Sequence, residues 1–312
     1  MAEVVAAIDC GSNSTRALIA DGEGRALARE LRITRLAQGV DATGSLRPEA
    51  MERTFAVLAE YRARCDELGV TRGLLVATSA ARDASNGAAF LERARAISGL
   101  EARMLHGDEE AALSYLGARL GLESVAVPTM VVDVGGGSTE LAAEIDGRLA
   151  SWSMQLGCVR VCERALGRGV VTPECDQAAR AMIDAELERA FTAVPAFDQV
   201  VGSVRLVGLA GTVATLAQLD ARLVVYDRDV VHHRVLSRST VQHWRDVLAR
   251  ETPEQRLGHP GMVVGREDVL PAGLYVLDAV MGRLGVDSLL SSESDILDGI
   301  TATLLGPALR AR

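Results

Sequence analysis

No lysine occurs anywhere in the sequence, so all 33 of its basic residues are arginine. That absence removes whole mechanisms: a Walker-type phosphate loop sets a lysine on the β- and γ-phosphates, and a Schiff-base enzyme needs a lysine amine. Basic charge is also in deficit, with 42 acidic residues and a net charge of −9. The balance argues against a nonspecific nucleic-acid binder, whose affinity comes from a basic face neutralising phosphates. The five cysteines are an odd number and form no C-x-x-C pair, which points to free thiols in a reducing compartment. With only 8 prolines against 30 glycines and 48% apolar residues, the composition excludes disorder and collagen. No uncharged apolar run approaches the length that spans a bilayer. The first ten residues carry Glu3 and Asp9 and lack the basic n-region of a signal peptide. The expectation is a cytoplasmic protein with no nucleic-acid and no membrane partner.

At 312 residues the chain exceeds the size at which single cores stop growing, which favours two domains. Val4 to Ile8 reads as a strand, Asp9 to Ser14 as a polar turn and Ala17 to Ala20 as a second strand. Asp21-Gly22 marks a hairpin, and Ala26 to Ile33 reads as the returning strand. A helix from Pro48 to Gly69, a strand at Leu74 to Thr78, and a helix, strand, helix series through Leu120 continue an α/β alternation. Near residue 128 the pattern restarts. Ala-Ala-Ile-Asp9-Cys-Gly11-Ser-Asn-Ser14-Thr15 aligns without gaps on Met-Val-Val-Asp133-Val-Gly135-Gly-Gly-Ser138-Thr139, and each copy leads to an Asp-Gly turn. An internal duplication explains this, giving domains at 1–127 and 128–312 whose two turns can face one another across a cleft. The second half reads as helices at Pro173 to Phe191, with Thr172 as cap, at Val213 to Leu219, from a Ser239–Gln242 capping box to Arg250, and at Val269 to Leu284. Strands are expected at Arg205 to Ala210 and at Leu289 to Ser291. A closing helix, at about 296–312, is expected to pack back on the first domain.

Three tight Gly/Ser/Thr turns follow buried strands: Asp9 to Thr15, Asp133 to Thr139 and Gly208 to Thr212. Such turns present backbone N–H groups and hydroxyls to phosphate oxygens, and three in one chain suggest a polyphosphate cradle. Gly11, Ser12, Asn13, Ser14, Gly135, Gly136, Gly137, Ser138, Gly208, Gly211 and Thr212 are the candidate phosphate contacts. A carboxylate inside such a nest repels its ligand unless a cation lies between them. Asp9, Asp133 and Glu140 are therefore candidate ligands for Mg²⁺ or Mn²⁺, which bridge carboxylates to phosphates. Asp108, Glu109 and Glu110 open a helix whose dipole suits negative charge; alternatively, one of them orients a water for attack on phosphorus. Arg16, Arg32, Arg35, Arg82 and Arg266 are the candidate counter-charges, Arg82 foremost because it follows the strand ending at Ala77-Thr78-Ser79. Cys158 and Cys162 read as packed thiols rather than zinc ligands. His232 and His233 read as alternating faces of a strand.

The blocks Ala7–Ser14, Ala77–Asn86, Gly107–Ala111 and Val132–Leu141, with Gly208–Thr212 and the tail Ser292–Gly299, resemble the exopolyphosphatase and guanosine pentaphosphate phosphohydrolase family of the actin/Hsp70/sugar-kinase superfamily. The resemblance covers nearly the whole chain. It implies an α/β fold of two duplicated ribonuclease-H-like (actin-like ATPase) domains flanking a cleft. It also implies Glu110 as catalytic base, Asp133 and Glu140 as metal-linked residues, Gly135 to Ser138 as phosphate contacts and Arg82 as a substrate-phosphate contact. The expected activity is Mg²⁺-dependent removal of the terminal phosphate of inorganic polyphosphate or guanosine pentaphosphate, by a homodimer in the short two-domain form of the family. An ATP-dependent kinase and a nonenzymatic polyphosphate or alarmone sensor are the alternatives.

Overall fold

The computed structural model describes residues 3–306 and divides into two compact units. One comprises the chain up to Leu122 together with the segment from Ser294 onward; the other runs from Glu123 to Glu293. The first division falls at Leu122 rather than at 127.

The first unit is built on a five-stranded mixed sheet of order β3-β2-β1-β4-β5. Its strands are β1 (Val4–Cys10), β2 (Ser14–Asp21), β3 (Ala26–Ile33), β4 (Arg72–Ala77) and β5 (Glu101–Met104). β1 is central, antiparallel to β2 and parallel to β4. Its run Val5-Ala-Ala-Ile is buried along its length, as expected of a strand covered on both faces. The helices are α1 (Val40–Thr43), α2 (Pro48–Glu67), α3 (Ser79–Arg82), α4 (Gly87–Ser98) and α5 (Gly107–Arg119). Pro48 sits where a missing N–H costs nothing, and Gly99 ends α4 in a left-handed conformation at φ +66°.

The second unit repeats the plan with β6 (Thr129–Val134), β7 (Thr139–Ile145), β8 (Arg148–Met154), β9 (Arg205–Leu209), β10 (Val235–Ser237) and β11 (Ser288–Ser291), in the order β10-β11-β9-β6-β7-β8. Without the short edge strand β10, each sheet is three antiparallel strands followed by two parallel ones. This is the duplication that the paired Asp-x-Gly motifs imply, in the ribonuclease-H-like topology that the family resemblance implies. Its helices are α6 (Cys158–Val161), α7 (Pro173–Ala193), α8 (Ala210–Ala221), α9 (Arg228–Val231), α10 (Arg238–Ala249), α11 (Pro253–Arg256) and α12 (Leu270–Leu284). A π-helical turn at Cys162–Leu166 prolongs α6. Thr172 caps α7 by accepting the N–H of Cys175. The capping box expected at Ser239 is displaced: Ser237 Oγ accepts the N–H of Thr240, and α10 starts at Arg238. Arg256 is wholly buried without a carboxylate, its guanidinium donating to the carbonyls of Leu248, Arg168, Glu267 and Gly169. It ties two loops and the end of α10 to one point.

The chain then returns to the first unit as α13 (Ile296–Leu305). Ile296, Leu297 and Ile300 complete a core with Ala7, Leu18, Val76 and Leu105; full burial of each such side chain contributes ~1.5–3 kcal/mol. The expected extension of this helix to 312 lies outside the described residues from 307. Among the described residues, no helix is long and apolar enough to cross a membrane.

Candidate active site

In the first unit, the β1–β2 turn is closed by the N–H of Gly11 donating to the Ser14 carbonyl at 3.1 Å. A Cβ on Gly11 would stand 3.0 Å from that oxygen, which is why the turn takes glycine there. Ser12 Oγ lies 3.0 Å from Ser79 Oγ at the start of α3, so the turn is fastened to the element that ends in Arg82. Arg82 Nη1 donates to the Leu105 carbonyl at 2.9 Å and pairs with Glu110 Oε2 at 3.1 Å. Its Nη2 is buried and has no partner, and the same holds for Asn13 Nδ2. Two buried donors without acceptors in one neighbourhood fit an anionic ligand.

The three acids that open α5 are separated by their surroundings. Asp108 is exposed. Glu109 accepts the N–H of His106 at 3.1 Å and pairs with Arg103 at 2.8 Å, so it caps the helix. Glu110 alone is buried, 8% exposed, and it faces Arg82. The spacing of the three acids leaves this choice open, because it turns on which side of α5 meets Arg82; the family resemblance is what singles out Glu110.

Asp9, at the end of β1, stands opposite Arg16 in the ladder, with Arg16 Nη2 2.7 Å from its Oδ2. Arg16 Nη1 also pairs with Asp295. Burial pushes the Asp9 carboxyl above its ordinary range and Arg16 opposes the shift. Asp9 Oδ1 is buried without a partner. In sequence, Asp295 stands out only as part of the tail block. It lies 279 residues from Arg16, and no local pattern signals such a pairing.

In the second unit, Asp133 and Glu140 are direct partners across the β6–β7 ladder, 7% and 2% exposed. Ser153 Oγ on β8 donates to Glu140 Oε1 at 2.7 Å. The glycine loop between them gives its carbonyls to α6: Gly135 accepts from Cys158 N–H, Gly136 from Val159 N–H and Gly137 from Arg160 Nε. Gly157 makes this approach possible, since a Cβ there would stand 2.3 Å from the Gly136 carbonyl oxygen. The expected third turn is instead a strand-to-helix junction: Gly208 lies within β9, in register with Val132 and Ser291, and α8 starts at Ala210, beside the end of β6 where Asp133 is in register with Leu209. Ala210 holds φ +65°, and Thr212 Oγ1 donates to the Val134 carbonyl at 3.4 Å. The Arg266 guanidinium lies where a Cβ on Gly211 would be.

The second unit thus gathers Asp133, Glu140, Gly135 to Ser138, Gly208, Gly211, Thr212 and Arg266. Asp9, Gly11 to Ser14, Arg82 and Glu110 gather in the first. Arg32 is a surface residue paired with Glu30 and Glu60, and Arg35 offers its backbone N–H to the Asn13 carbonyl. Cys158 and Cys162 are buried free thiols; burial raises both, Cys162 to about 12. The two histidines depart from the strand expectation: they follow α9 with rings stacked at 3.8 Å, and His233 holds φ +59°. Among the described residues, no group of three or more His, Cys, Asp or Glu side chains is arranged to hold a metal. Two adjacent buried carboxylates are nevertheless a donor set suited to Mg²⁺, which takes one or two protein oxygens and keeps several waters.

The profile described as the Ppx/GppA phosphatase family matches residues 17–306. Exopolyphosphatase 2 of Mycobacterium tuberculosis is 40% identical over 321 residues, spanning 97% of this chain and 98% of its own. Among solved structures, an exopolyphosphatase-like protein is 34% identical with a TM-score of 0.89 over 96% of this chain and 97% of its own. The Ppx/GppA family member of Aquifex aeolicus is 29% identical with a TM-score of 0.79, over 100% and 99%.

Proposed function

Because this chain belongs to the Ppx/GppA phosphatase family, we propose that it is a Mg²⁺-dependent phosphohydrolase that releases terminal orthophosphate from inorganic polyphosphate, from guanosine pentaphosphate, or from both. The observation that carries the reading is the buried Glu110–Arg82 pair, whose arginine keeps Nη2 without a partner. A carboxylate withdrawn from water beside an unused guanidinium donor supplies a base and an anion contact together.

In this reading Glu110 takes a proton from a water whose oxygen attacks the terminal phosphorus. The bond from that phosphorus to the bridging oxygen breaks, and the shortened chain leaves with the electron pair on that oxygen. Arg82, Ser12 and Asn13 hold phosphate oxygens in the first unit. Gly135 to Ser138 and Gly211 and Thr212 do so in the second, where the loop carbonyls are already bonded to α6 and Arg160. Asp133 and Glu140 would hold Mg²⁺ or Mn²⁺; when bound, the ion neutralises charge on the phosphate oxygens. The reading includes a cytoplasmic homodimer.

The test is orthophosphate release by the purified protein with Mg²⁺, given long polyphosphate, short polyphosphate, guanosine pentaphosphate and ATP in parallel. Release is expected from at least one of the first three, and Glu110→Gln should reduce it by ~10²–10⁴-fold with binding retained. Unchanged turnover in Glu110→Gln would remove the base role. Binding without release from any substrate would replace the hydrolase by a sensor.

A further inference from the structure

Asp295 is the N-cap of α13, and its two carboxylate oxygens have separate partners. Oδ1 accepts the N–H of Leu297 at 2.9 Å and caps the helix, while Oδ2 accepts from Arg16 Nη1. The N–H of Asp295 donates to Asp298 Oδ2 at 2.9 Å, and Asp298 Oδ1 accepts from Arg29 Nη2 at 2.6 Å. Arg16 of β2 and Arg29 of β3 thereby fasten the first turn of α13 to the sheet.

The same turn bears on α5. A Cβ on Gly117 would stand 1.8 Å from the Asp295 carbonyl oxygen, and one on Gly299 would stand 2.0 Å from the carbonyl oxygen of Leu113. Backbone meets backbone at both points, so α5 and α13 are held in one register by hard contact. α5 carries Glu110 in its first turn. The main chain of Asp295 therefore bears on the Glu110 helix, and its carboxylate bears, through the forked Arg16, on the hairpin that holds Asp9, Ser12 and Asn13.

We infer, on the hydrolase reading above, that Asp295 is a positioning residue: acting through Arg16, it registers the Glu110 helix against the Asp9–Ser14 hairpin. It touches no reacting atom. Its charge fixes how the Arg16 fork is shared between two carboxylates, and hence where the β1–β2 hairpin sits relative to the base. The effect is expected in kcat rather than KM, because Ser12, Asn13 and Arg82 keep the donors that bind phosphate while the phosphate they hold is displaced relative to the base.

Asp295→Asn is the informative variant, since its amide oxygen still caps Leu297 while the charge on Arg16 is lost. With polyphosphate as substrate, kcat should fall ~10- to 100-fold, as for a misplacement of about 1 Å, with KM within about twofold of wild type. Arg16→Lys keeps the charge but loses the fork and should show the same loss. The double variant should match the more impaired single one, because both changes break one linkage. A wild-type kcat in Asp295→Asn, or single effects that multiply in the double variant, would overturn the inference while leaving the hydrolase intact. Should Asp295→Asn fail to fold, a wild-type kcat in Arg16→Lys overturns it equally. A wild-type protein that releases no phosphate overturns the hydrolase reading and this inference with it.

Discussion

In the first unit the residue opposite Asp9 across the hairpin is Arg16; in the second, the residue opposite Asp133 at the corresponding position is Glu140. The two hairpins share a sheet position, a glycine set against the carbonyl of Ser14 or Ser138, and the leading aspartate. What differs is the sign of one side chain. The first hairpin carries its own counter-ion, a guanidinium 2.7 Å from the acid. The second sets two buried acids side by side and so forms an oxygen donor set for a divalent cation. A duplicated backbone has thus been given two electrostatic tasks, and the metal proposal belongs to the second copy more strongly than to the first.

The comparison breaks most visibly if the second hairpin is not the metal-holding one. Asp133→Asn and Glu140→Gln should each lower phosphate release by about 100-fold at fixed Mg²⁺, and should weaken Mn²⁺ binding, read by electron paramagnetic resonance, by about tenfold or more. Metal titrations that match wild type in both variants would remove the ion from this hairpin. In the first hairpin the expected effect is on folding. Arg16→Gln leaves both Asp9 and Asp295 buried without their shared cation and should cost about 3–5 kcal/mol in chemical denaturation, part of it recovered by adding Asp9→Asn. A cost below about 1 kcal/mol would show that the first hairpin does not depend on its arginine.

The smallest expected effect concerns acid, to which these residues respond in opposite senses. Burial raises Asp9 from its ordinary 3.8 and lowers His233 from 6.5. As pH falls through the folded pKa of Asp9, the folded state binds the extra proton and the first unit gains stability. For His233 the unfolded chain binds the extra proton, so its contribution is complete above 6.5 and is lost as pH falls below it. Asn tolerates the positive φ of this position, so His233→Asn should flatten the acid-induced loss of amide protection in β10 and β11 between about pH 7 and 5. An unaltered slope would assign that loss to other groups.

The duplication is legible because strand period, glycine turns and an aspartate at a fixed offset are local signals, and the helices introduced by Pro48 and by Thr172-Pro173 carry their own start marks. The sequence places the cap of α10 two residues late because Ser237 and Ser239 are equally good caps and only the chain path selects between them. The family resemblance singles out Glu110, whereas spacing alone does not separate it from Asp108 and Glu109, because the difference is burial against an arginine 28 residues away. The Arg16–Asp295 pairing depends on where the chain returns after a whole unit, and no window of sequence contains both. The His232–His233 stack requires a left-handed residue that alternation does not reveal.

The return of α13 to the first unit also sets an order of assembly. The second unit is one uninterrupted stretch from Glu123 to Glu293, whereas the first lacks Ile296, Leu297 and Ile300 of its core until the residues beyond the second unit have been made. On a ribosome the usual sequence of N-terminal domain first is therefore inverted. The sheet of the first unit must wait, with Ala7, Leu18 and Val76 uncovered on one side, until α13 follows the second unit and closes it.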